Sequence, residues 1–432
     1  MFCGNCLRDN ALVAGLRRLG HEVLMVPLYL PLTLDETDQS AGTPVFFSGI
    51  NVYLDQKSKL FRNGPRWMHH LLSAPSLLQW AARQSGKTKA DSLGPLTLSM
   101  LRGEAGNQAR ELADLIEWLK KQPPPDVIFL SNALLLGMAH RLRDELKRPL
   151  VCMLQGEDYF LDSLPEPDRS SCWQALADRA QYADLFVAPS RYFAQQMQTR
   201  IGLSPEKLRV IYNGINLDGY QTGQSSPARS GNTIGYLARM CKEKGLDTLV
   251  EAFLDLRQRE GVGEIKLCMA GSLGHADEPF VARLRQRLSA AGAANQASFF
   301  PNVDRATKLQ LLQSFSVFSV PALYGEAFGL YVIEALAAGV PVVQPRTAAF
   351  PELIEFTGGG VLCEPNSSKA LTDAIEGLVN NPDRARALGL KGQTAVFESF
   401  TADSMARNVA AAVESLHWAP KPGAIVSSAF PS

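Results

Sequence analysis

The sequence lacks an excess of charge of either sign. Its 432 residues include 43 lysines and arginines and 43 aspartates and glutamates, so the formal net charge is zero. A neutral chain exerts no overall attraction on nucleic acid or on anionic lipid, and any phosphate binding must therefore be local. We expect no nucleic-acid partner.

Long apolar segments are missing as well. The run 133–139 is far too short to cross a bilayer, and the apolar stretch 24–34 is interrupted by Pro27 and Pro31. The N-terminus has no basic region followed by an apolar stretch, so no signal peptide is predicted. The hydrophobic fraction of 46% is that of a soluble globular protein. We expect a cytoplasmic location.

Cysteine is scarce and its number is odd, with seven residues in all, which argues against a secreted disulfide framework. Cys3 and Cys6 form a C-x-x-C, but no second Cys or His pair lies nearby to complete a zinc site. A redox pair at the start of a helix and the packing of two small residues in a turn both remain open, and packing is favoured. The six histidines do not cluster at ligand spacing. No structural metal is predicted.

Several catalytic signatures are also absent. No G-x-G-x-x-G follows a predicted strand and no G-x-S-x-G occurs, so neither a dinucleotide-dependent dehydrogenase nor a serine hydrolase is supported. Residues 85–88, Ser-Gly-Lys-Thr, resemble the end of a P-loop. However, position 81 is alanine where the first glycine should stand, and the preceding residues have a helical pattern, so we reject a P-loop.

The chain is longer than one core usually supports, so we expect two domains, 1–220 and 233–400, joined by the polar Gly/Ser/Pro-rich linker 221–232. Before the linker, strands are predicted near 21–27, 126–130, 149–154, 184–188 and 207–212, with helices notably at 133–146 and 191–200. After it, strands are predicted near 233–237, 264–270, 297–300, 316–320, 340–344 and 360–363, with helices such as 245–259 and 305–314. This alternation predicts parallel sheets covered on both faces.

Two features interrupt this alternation. The chain opens on a turn and helix at residues 2–18 without the strand that normally precedes them in a doubly wound sheet, and we interpret this as a misplaced start. Residues 61–106 form an insertion with helix-like segments. The insertion either shapes a substrate cleft or packs without any chemical role, and the sequence does not separate these alternatives.

Residues 324–345 carry the most information. A short loop containing glycine runs into an apolar helix, whose first backbone N–H groups belong to Phe328, Gly329 and Leu330. Such a helix start has partial positive charge and binds anions, above all phosphate. Glu334 on the next turn is placed to accept hydrogen bonds from sugar hydroxyls of the same ligand. The alternative is an ordinary loop–helix–strand unit with a capping glutamate.

A second group of residues follows the linker. The strand near 233–237 is followed by Arg239 and Lys244 in the loop before the next helix. At the carboxyl end of a parallel strand such a loop faces the ligand crevice. Arginine can donate to two phosphate oxygens at once and lysine supplies a mobile point charge, so the two segments together predict a diphosphate site.

These residues make the chain similar to a known family. Gly235, Arg239, Lys244-Gly245 and the segment Gly325–Val342, with Glu326 and Glu334 eight positions apart, resemble the retaining glycosyltransferases of the GT-B fold, the family 4 group. The similarity covers roughly residues 10–415, and further matches lie at 19–23, 188–190, 212–215, 351–352 and 359–360. The resemblance implies an α/β fold of two facing doubly wound (Rossmann-like) domains. It also implies that a last helix within 401–420 crosses back to the first domain.

The resemblance implies specific roles as well. Arg239 and Lys244 would hold the donor diphosphate, capped by the backbone of 328–330. Glu334 would bind the ribose and Glu326 would face the transferred sugar. With Arg239 and Lys244, Glu326 completes the implied catalytic set.

The chain departs from the family on the acceptor side. Members often carry a histidine after the strand that matches 149–154, where this chain has Gln155 and three further residues, and the glycine-rich loop after the first strand is cut to Gly4 and its neighbours. The acceptor-side candidates are Asn5, Arg8, Gln155, Gly156, Glu157 and Asp158.

The function implied is a metal-independent retaining hexosyltransferase without a cofactor. It would use a nucleoside-diphosphate sugar and a saccharide, lipid-linked or small-molecule acceptor. Peripheral membrane association and the oligomeric state are left open. Two alternatives also stay open: a non-catalytic sugar-nucleotide-binding protein, and a sugar-nucleotide epimerase or phosphorylase on the same architecture.

Overall fold

The computed structural model describes residues 4–28, 36–47, 93–221 and 232–416. The predictions made for Cys3, for the P-loop-like residues 85–88, for the insertion before residue 93 and for nearly all of the linker lie outside these ranges.

The first sheet contains four parallel strands in the order β1-β2-β3-β4. Its strands are β1 (Ile128–Leu130), β2 (Leu150–Met153), β3 (Leu185–Ala188) and β4 (Leu208–Val210). The associated helices are α1 (Gly4–Arg18), α2 (Leu93–Leu101), α3 (Ala109–Leu119), α4 (Ala139–Leu146), α5 (Glu157–Asp162), α6 (Asp168–Ala180) and α7 (Arg191–Ile201). Every residue of β2 and β3 is buried, as expected when helices cover both faces of a parallel sheet.

The strand predicted near 21–27 is wrong, because these residues pair with no strand in the described part of the chain. Two of their carbonyl groups, and that of the next residue, accept hydrogen bonds from other segments. The Leu28 carbonyl accepts from Phe47 N at 2.8 Å, and the Met25 carbonyl accepts from Thr43 Oγ1 at 2.9 Å. The segment is therefore held by the loop 36–47, and its apolar composition reflects partial burial of Val23, Val26 and Leu28.

The second sheet has six parallel strands in the order β10-β9-β8-β5-β6-β7. Its strands are β5 (Asn232–Leu237), β6 (Ile265–Gly271), β7 (Ala297–Pro301), β8 (Val317–Phe318), β9 (Val342–Pro345) and β10 (Gly360–Cys363). Its helices are α8 (Leu246–Leu256), α9 (Glu278–Ala290), α10 (Arg305–Ser314), α11 (Leu330–Ala337), α12 (Phe350–Thr357), α13 (Ser368–Val379) and α14 (Pro382–Ser399). This order is that of a doubly wound sheet, whose switch point lies between β5 and β8.

The last described helix, α15 (Ala402–Glu414), packs against the first sheet. Its apolar side chains join those of α1, β2 and β3 in one buried cluster. Gly15 on α1 allows the close approach, because a Cβ there would lie 2.8 Å from the Ala402 carbonyl oxygen. The packing of α15 agrees with the helix within 401–420 that the resemblance implies, and its role as a crossing helix between domains stays a prediction.

Short 3-10 helices complete the described secondary structure, at Gly103–Ala105, Ala133–Met138, Pro205–Lys207, Lys242–Lys244 and Ala294–Gln296. Within the described ranges, no helix combines the length and apolarity that crossing a bilayer requires. The two parallel sheets with interleaved helices confirm the predicted α/β fold class.

Candidate functional site

The site lies where two loops of the second sheet meet at the switch point. One follows β5 and the other follows β8, and Leu323 N donates to the Glu243 carbonyl at 2.9 Å to join them. Gly245, at φ +69°, ends the first loop and begins α8. A Cβ at this position would collide with the Pro321 carbonyl oxygen, so the close approach of the loops requires glycine.

Lys244 and Glu326 come together across this junction. Lys244 Nζ lies 2.6 Å from Glu326 Oε2, and the two side chains are only 18% and 14% exposed. The same carboxylate oxygen accepts from the Tyr331 hydroxyl at 2.9 Å and from the Tyr324 hydroxyl at 3.2 Å, and Lys244 also bonds to Tyr324. The Lys244 ammonium lies 4.8 Å and 5.1 Å from the centroids of the Tyr324 and Tyr331 rings.

The electrostatics of this cluster keep Glu326 ionised. Burial alone would raise the pKa of Glu326, but the charge of Lys244 and the hydrogen bonds from Lys244, Tyr331 and Tyr324 outweigh burial and lower it. Burial next to this carboxylate raises the pKa values of Tyr324 and Tyr331, so both phenols stay protonated and act as donors.

Arg239, the other predicted phosphate ligand, pairs with Asp277. Its Nε lies 2.8 Å from Asp277 Oδ2 and its Nη2 lies 3.2 Å from Oδ1, which is a bidentate contact. Asp277 precedes α9, and the contact therefore joins the loops that follow β5 and β6. A guanidinium carries five N–H donors, so this pairing orients Arg239 and leaves Nη1 for another ligand.

Glu334 lies on the second turn of α11 and pairs with Lys308 of α10. Lys308 Nζ is 2.9 Å from Glu334 Oε1, and both side chains are largely buried. The carboxylate predicted to contact the ribose is thus held by a cation from a neighbouring helix.

The start of α11 lies later than predicted, because Phe328 and Gly329 precede the helix and only Leu330 belongs to it. Gly329, at φ +92°, precedes the helix, which begins at Leu330, while the Phe328 side chain is buried. The first N–H groups of a helix have no partner within it. Gly4, at the start of α1, lies beside this helix start, since a Cβ there would be 3.8 Å from Leu330 Cδ1. The starts of α1 and α11 therefore border the same space.

Of the two candidates on α1, Arg8 is tied into the first sheet. Its side chain is 1% exposed, its Nη2 donates to the Ser131 carbonyl at 2.6 Å, and its Nε lies 2.7 Å from Asp9 Oδ1. The bond to Ser131 anchors α1 to the loop after β1, so Arg8 supports the edge of the sheet. Asn5 is half-buried near the start of the same helix.

Among the candidates after β2, Glu157 is also a structural element. It is buried and accepts from Ala133 N at 2.7 Å and from Gln155 N at 2.9 Å, which ties the loops after β1 and β2 together. Burial raises its pKa against the opposing effect of these bonds. Gly156, at φ +86°, faces Ala327, whose Cβ would lie 3.5 Å from a Cβ at position 156.

Two buried oxygens after β2 have no hydrogen-bond partner among the described protein atoms, Oε1 of Gln155 and Oδ1 of Asp158. Asp158 follows Glu157 on α5, and burial raises its pKa. The structure therefore brings this loop to the loop after β8, where Gly156 meets Ala327, and leaves the two acceptor oxygens without a partner among the described protein atoms.

Sequence reasoning missed four site residues, namely Tyr324, Tyr331, Asp277 and Lys308. The tyrosines lie next to the recognised segment and could have been found from their spacing of two and five residues around Glu326. Asp277 and Lys308 are 38 and 26 residues from their partners, and no local pattern marks them. No group of three potential metal ligands occurs within the ranges that the structure describes.

Family models match two consecutive parts of the chain. Residues 223–395 match the model described as glycosyl transferases group 1, and residues 82–218 match glycosyltransferase family 4.

Curated relatives match over shorter ranges. D-inositol 3-phosphate glycosyltransferase of Segniliparus rotundus is 27% identical over 53% of this chain and 53% of its own length. Phosphatidyl-myo-inositol mannosyltransferase of Mycobacterium leprae is 30% identical over 40% of this chain and 44% of its own. The chain thus spans about half the length of the curated relatives that it matches.

Solved structures share the fold. Anabaena HepE in complex with UDP superposes with a TM-score of 0.61 at 22% identity, over 72% of this chain and 84% of that one. Sucrose-phosphate synthase from Thermosynechococcus elongatus gives a TM-score of 0.60 at 19% identity, over 71% and 78%. The two family matches place the chain in the group 1 family of GT-B glycosyltransferases, and the two parallel sheets and the similar solved structures agree with that fold.

Proposed function

We propose that this protein is a retaining hexosyltransferase that moves a sugar from a nucleoside-diphosphate sugar to an acceptor. The observation that carries the proposal is the Lys244–Glu326 pair, 2.6 Å apart, where the loops after β5 and β8 meet beside the start of α11. Ligands of doubly wound sheets bind at this switch point. The cation and the helix start suit a diphosphate, and the carboxylate suits sugar hydroxyls.

In this proposal the diphosphate lies between Arg239, Lys244 and the N–H groups at 328–330. An ammonium has three donors, so Lys244 keeps one for phosphate beside its contacts with Glu326 and Tyr324. Arg239 offers Nη1 while Asp277 fixes its orientation.

Glu334 would accept from ribose hydroxyls and Glu326 from the transferred sugar. The fold relatives support a nucleotide donor, since Anabaena HepE has been solved with UDP and with UDP-glucose. Hydroxyl donors suit ionised carboxylates, and the lowered pKa of Glu326, caused chiefly by Lys244 against the effect of burial, keeps that acceptor charged.

The chemistry forms a bond from the acceptor oxygen to the anomeric carbon and breaks the bond from that carbon to the diphosphate. Negative charge grows on the leaving phosphate, and preorganised positive groups stabilise it. Arg239, Lys244 and the helix start supply that charge without a metal. For retention, the acceptor attacks the face from which the diphosphate leaves, and the leaving phosphate oxygen takes the acceptor proton.

The acceptor would enter from the first sheet, past Gln155, Gly156 and Asp158. The names of the curated relatives suggest inositol phosphates and phosphatidylinositol as first acceptors to test. We further propose that residues 1–220 form the acceptor-side domain and 233–400 the donor domain, and that the protein works in the cytoplasm.

The test uses Lys244→Ala and Glu334→Ala, with Lys242→Ala as a matched control, because Lys242 is exposed in the same 3-10 turn. UDP affinity is measured by calorimetry, and UDP release from UDP-glucose is measured with and without D-inositol 3-phosphate. Loss of Lys244 should reduce turnover by about 10²-fold, the effect of removing one preorganised donor. Loss of Glu334 should weaken UDP binding.

If both variants bind a panel of nucleoside diphosphates as the wild type does, the donor site is misassigned. Binding of UDP-glucose without any turnover would instead identify a sugar-nucleotide-binding protein, the main alternative to an enzyme.

A further inference from the structure

A second buried glutamate, Glu352 on α12, reaches across to the first sheet. Its Oε1 accepts from Arg191 N at 2.9 Å and its Oε2 accepts from Tyr192 N at 3.2 Å, while the Tyr212 hydroxyl donates to Oε1 at 2.8 Å. The side chain is 8% exposed. The carboxylate thus takes two of the N–H groups that the first turn of α7 leaves without intrahelical partners, and it faces the positive end of that helix.

The same end of α7 also holds the loop that carries Glu326. Ser190, the N-cap of α7, accepts from Phe193 N at 3.0 Å and donates to the Ala327 carbonyl at 2.7 Å. Gly325 lies against the Tyr192 hydroxyl so closely that a Cβ there would collide with it. The loop after β8 therefore packs against α7, and through α7 it contacts the first sheet.

Helix α12 contacts this loop from the other side. Ala349 N, at its N-cap, donates to the Glu326 carbonyl at 3.3 Å. Glu352, α7 and the loop around Glu326 thus form a closed set of contacts in which each element touches the other two. Glu352 joins the two sheets in this set, and the exposed Arg191 side chain pairs with it, with Nε 3.3 Å from Glu352 Oε1.

We propose that Glu352 is a positioning residue for sugar transfer. By holding α7 against α12, it sets the distance between the acceptor-side loop after β2 and the loop that presents Glu326 to the donor sugar. It takes no part in binding the nucleotide. This inference rests on the proposed transferase function, and it matters because a displacement of about 1 Å between reactants can cost about 10²-fold in rate.

The decisive variant is Glu352→Gln, which keeps the shape but replaces one acceptor oxygen by an NH2 group that opposes one of the two backbone N–H groups. Glu355→Gln is the matched control, since Glu355 is exposed on the same helix. Tyr212→Phe removes only the hydroxyl and leaves both contacts to α7. Hydrogen exchange in peptides that cover 190–195 and 324–330 is measured without ligand, and UDP affinity and UDP-glucose turnover are measured on the full chain.

For Glu352→Gln we expect faster exchange in both peptides, UDP affinity within 3-fold of wild type, and turnover lowered by about 10²-fold. Tyr212→Phe and Glu355→Gln should keep most of the turnover. The inference is overturned if the wild type is active and Glu352→Gln keeps its turnover, or loses UDP affinity in proportion. A wild type that neither binds nucleoside diphosphates nor turns over any donor overturns the proposed function itself. In that case, faster hydrogen exchange in Glu352→Gln would show only that Glu352 holds the two sheets together.

Discussion

Lys308 Nζ lies 2.9 Å from Glu334 Oε1, and the two side chains are 11% and 16% exposed. The pair joins α10 to α11 beside the proposed nucleotide site. The ammonium holds Oε1 in place, and because the carboxylate is planar and rigid, the position of Oε2 is then restricted as well. A hydroxyl of the ligand would then meet an acceptor that is already oriented, which lowers the entropy cost of binding.

We expect Lys308→Met to weaken UDP binding by about 5-fold, the value of one hydrogen bond of about 1 kcal/mol. The ratio of affinities for UDP and 2′-deoxy-UDP should also fall, because the unfixed carboxylate selects the hydroxyl less well. Calorimetry with both nucleotides measures this, with Lys369→Met as the control, since Lys369 is 84% exposed on α13. An unchanged ratio would assign Lys308 a structural role alone.

The Glu326–Lys244 pair should make the free energy of unfolding depend on pH in the acidic range. The pKa of Glu326 is lowered in the folded chain because Lys244 and the tyrosine hydroxyls outweigh burial. The pair therefore stabilises the fold fully above the ordinary glutamate pKa of about 4.3, and this contribution is lost as the pH falls through the lower folded-state value. Glu326→Gln should cost about 1.5–3 kcal/mol at pH 7.

Urea unfolding of wild type and Glu326→Gln between pH 7 and pH 3 checks this dependence. The difference in free energy of unfolding should shrink below about pH 4, while Glu355→Gln, an exposed site, should show no such trend. A difference that grows toward low pH would contradict the assignment.

Asp277 should assist nucleotide binding by orienting Arg239. We expect Asp277→Asn to weaken UDP binding by about 3–10-fold, since the amide cannot accept both N–H groups of the bidentate contact. Glu278→Gln, on the neighbouring exposed residue, serves as the control. Tighter UDP binding by Asp277→Asn would mean instead that Asp277 competes with the diphosphate for Arg239.

Gly245 should tolerate no side chain. Gly245→Ala places a Cβ against the Pro321 carbonyl at φ +69°, and we expect a loss of at least about 1–3 kcal/mol in the free energy of unfolding. Gly377 is a matched contrast, because a Cβ there meets nothing within 4 Å on an exposed face of α13. Gly377→Ala should stabilise by about 0.5–1 kcal/mol. Equal effects of the two substitutions in thermal unfolding would contradict this account.

Apolar runs and their alternation with helical segments were enough to predict the second sheet, because its inner strands β6, β8 and β9 are mostly buried. The rule that strand ends carry ligands also placed Arg239 and Lys244 in one loop and Glu326 in the next. The strand predicted near 21–27 is absent for a physical reason. Partial burial under the loop 36–47 selects the same apolar residues as pairing within a β-sheet would.

The partners of the charged residues could not be predicted. Asp277, Lys308 and Glu157 form their contacts across loops and helices that only the folded topology brings together. For Glu157, the sequence offered an acceptor-side carboxylate, whereas its buried position makes it a bridge between two backbone segments. Contacts between residues that are distant in the sequence can be identified only from the folded structure.

The chain passes between the two sheets twice, and both passages meet at one place. Ile215, after β4, donates its N–H to the Phe400 carbonyl at 2.9 Å, and its own carbonyl accepts from Ala402 N at 2.9 Å. Gly214 fits closely against the Thr401 carbonyl beside this bridge. Two covalent connections tied together at a single point act as a pivot. We therefore expect a relative rotation of the two sheets to leave residues 214–215 and 400–402 nearly in place.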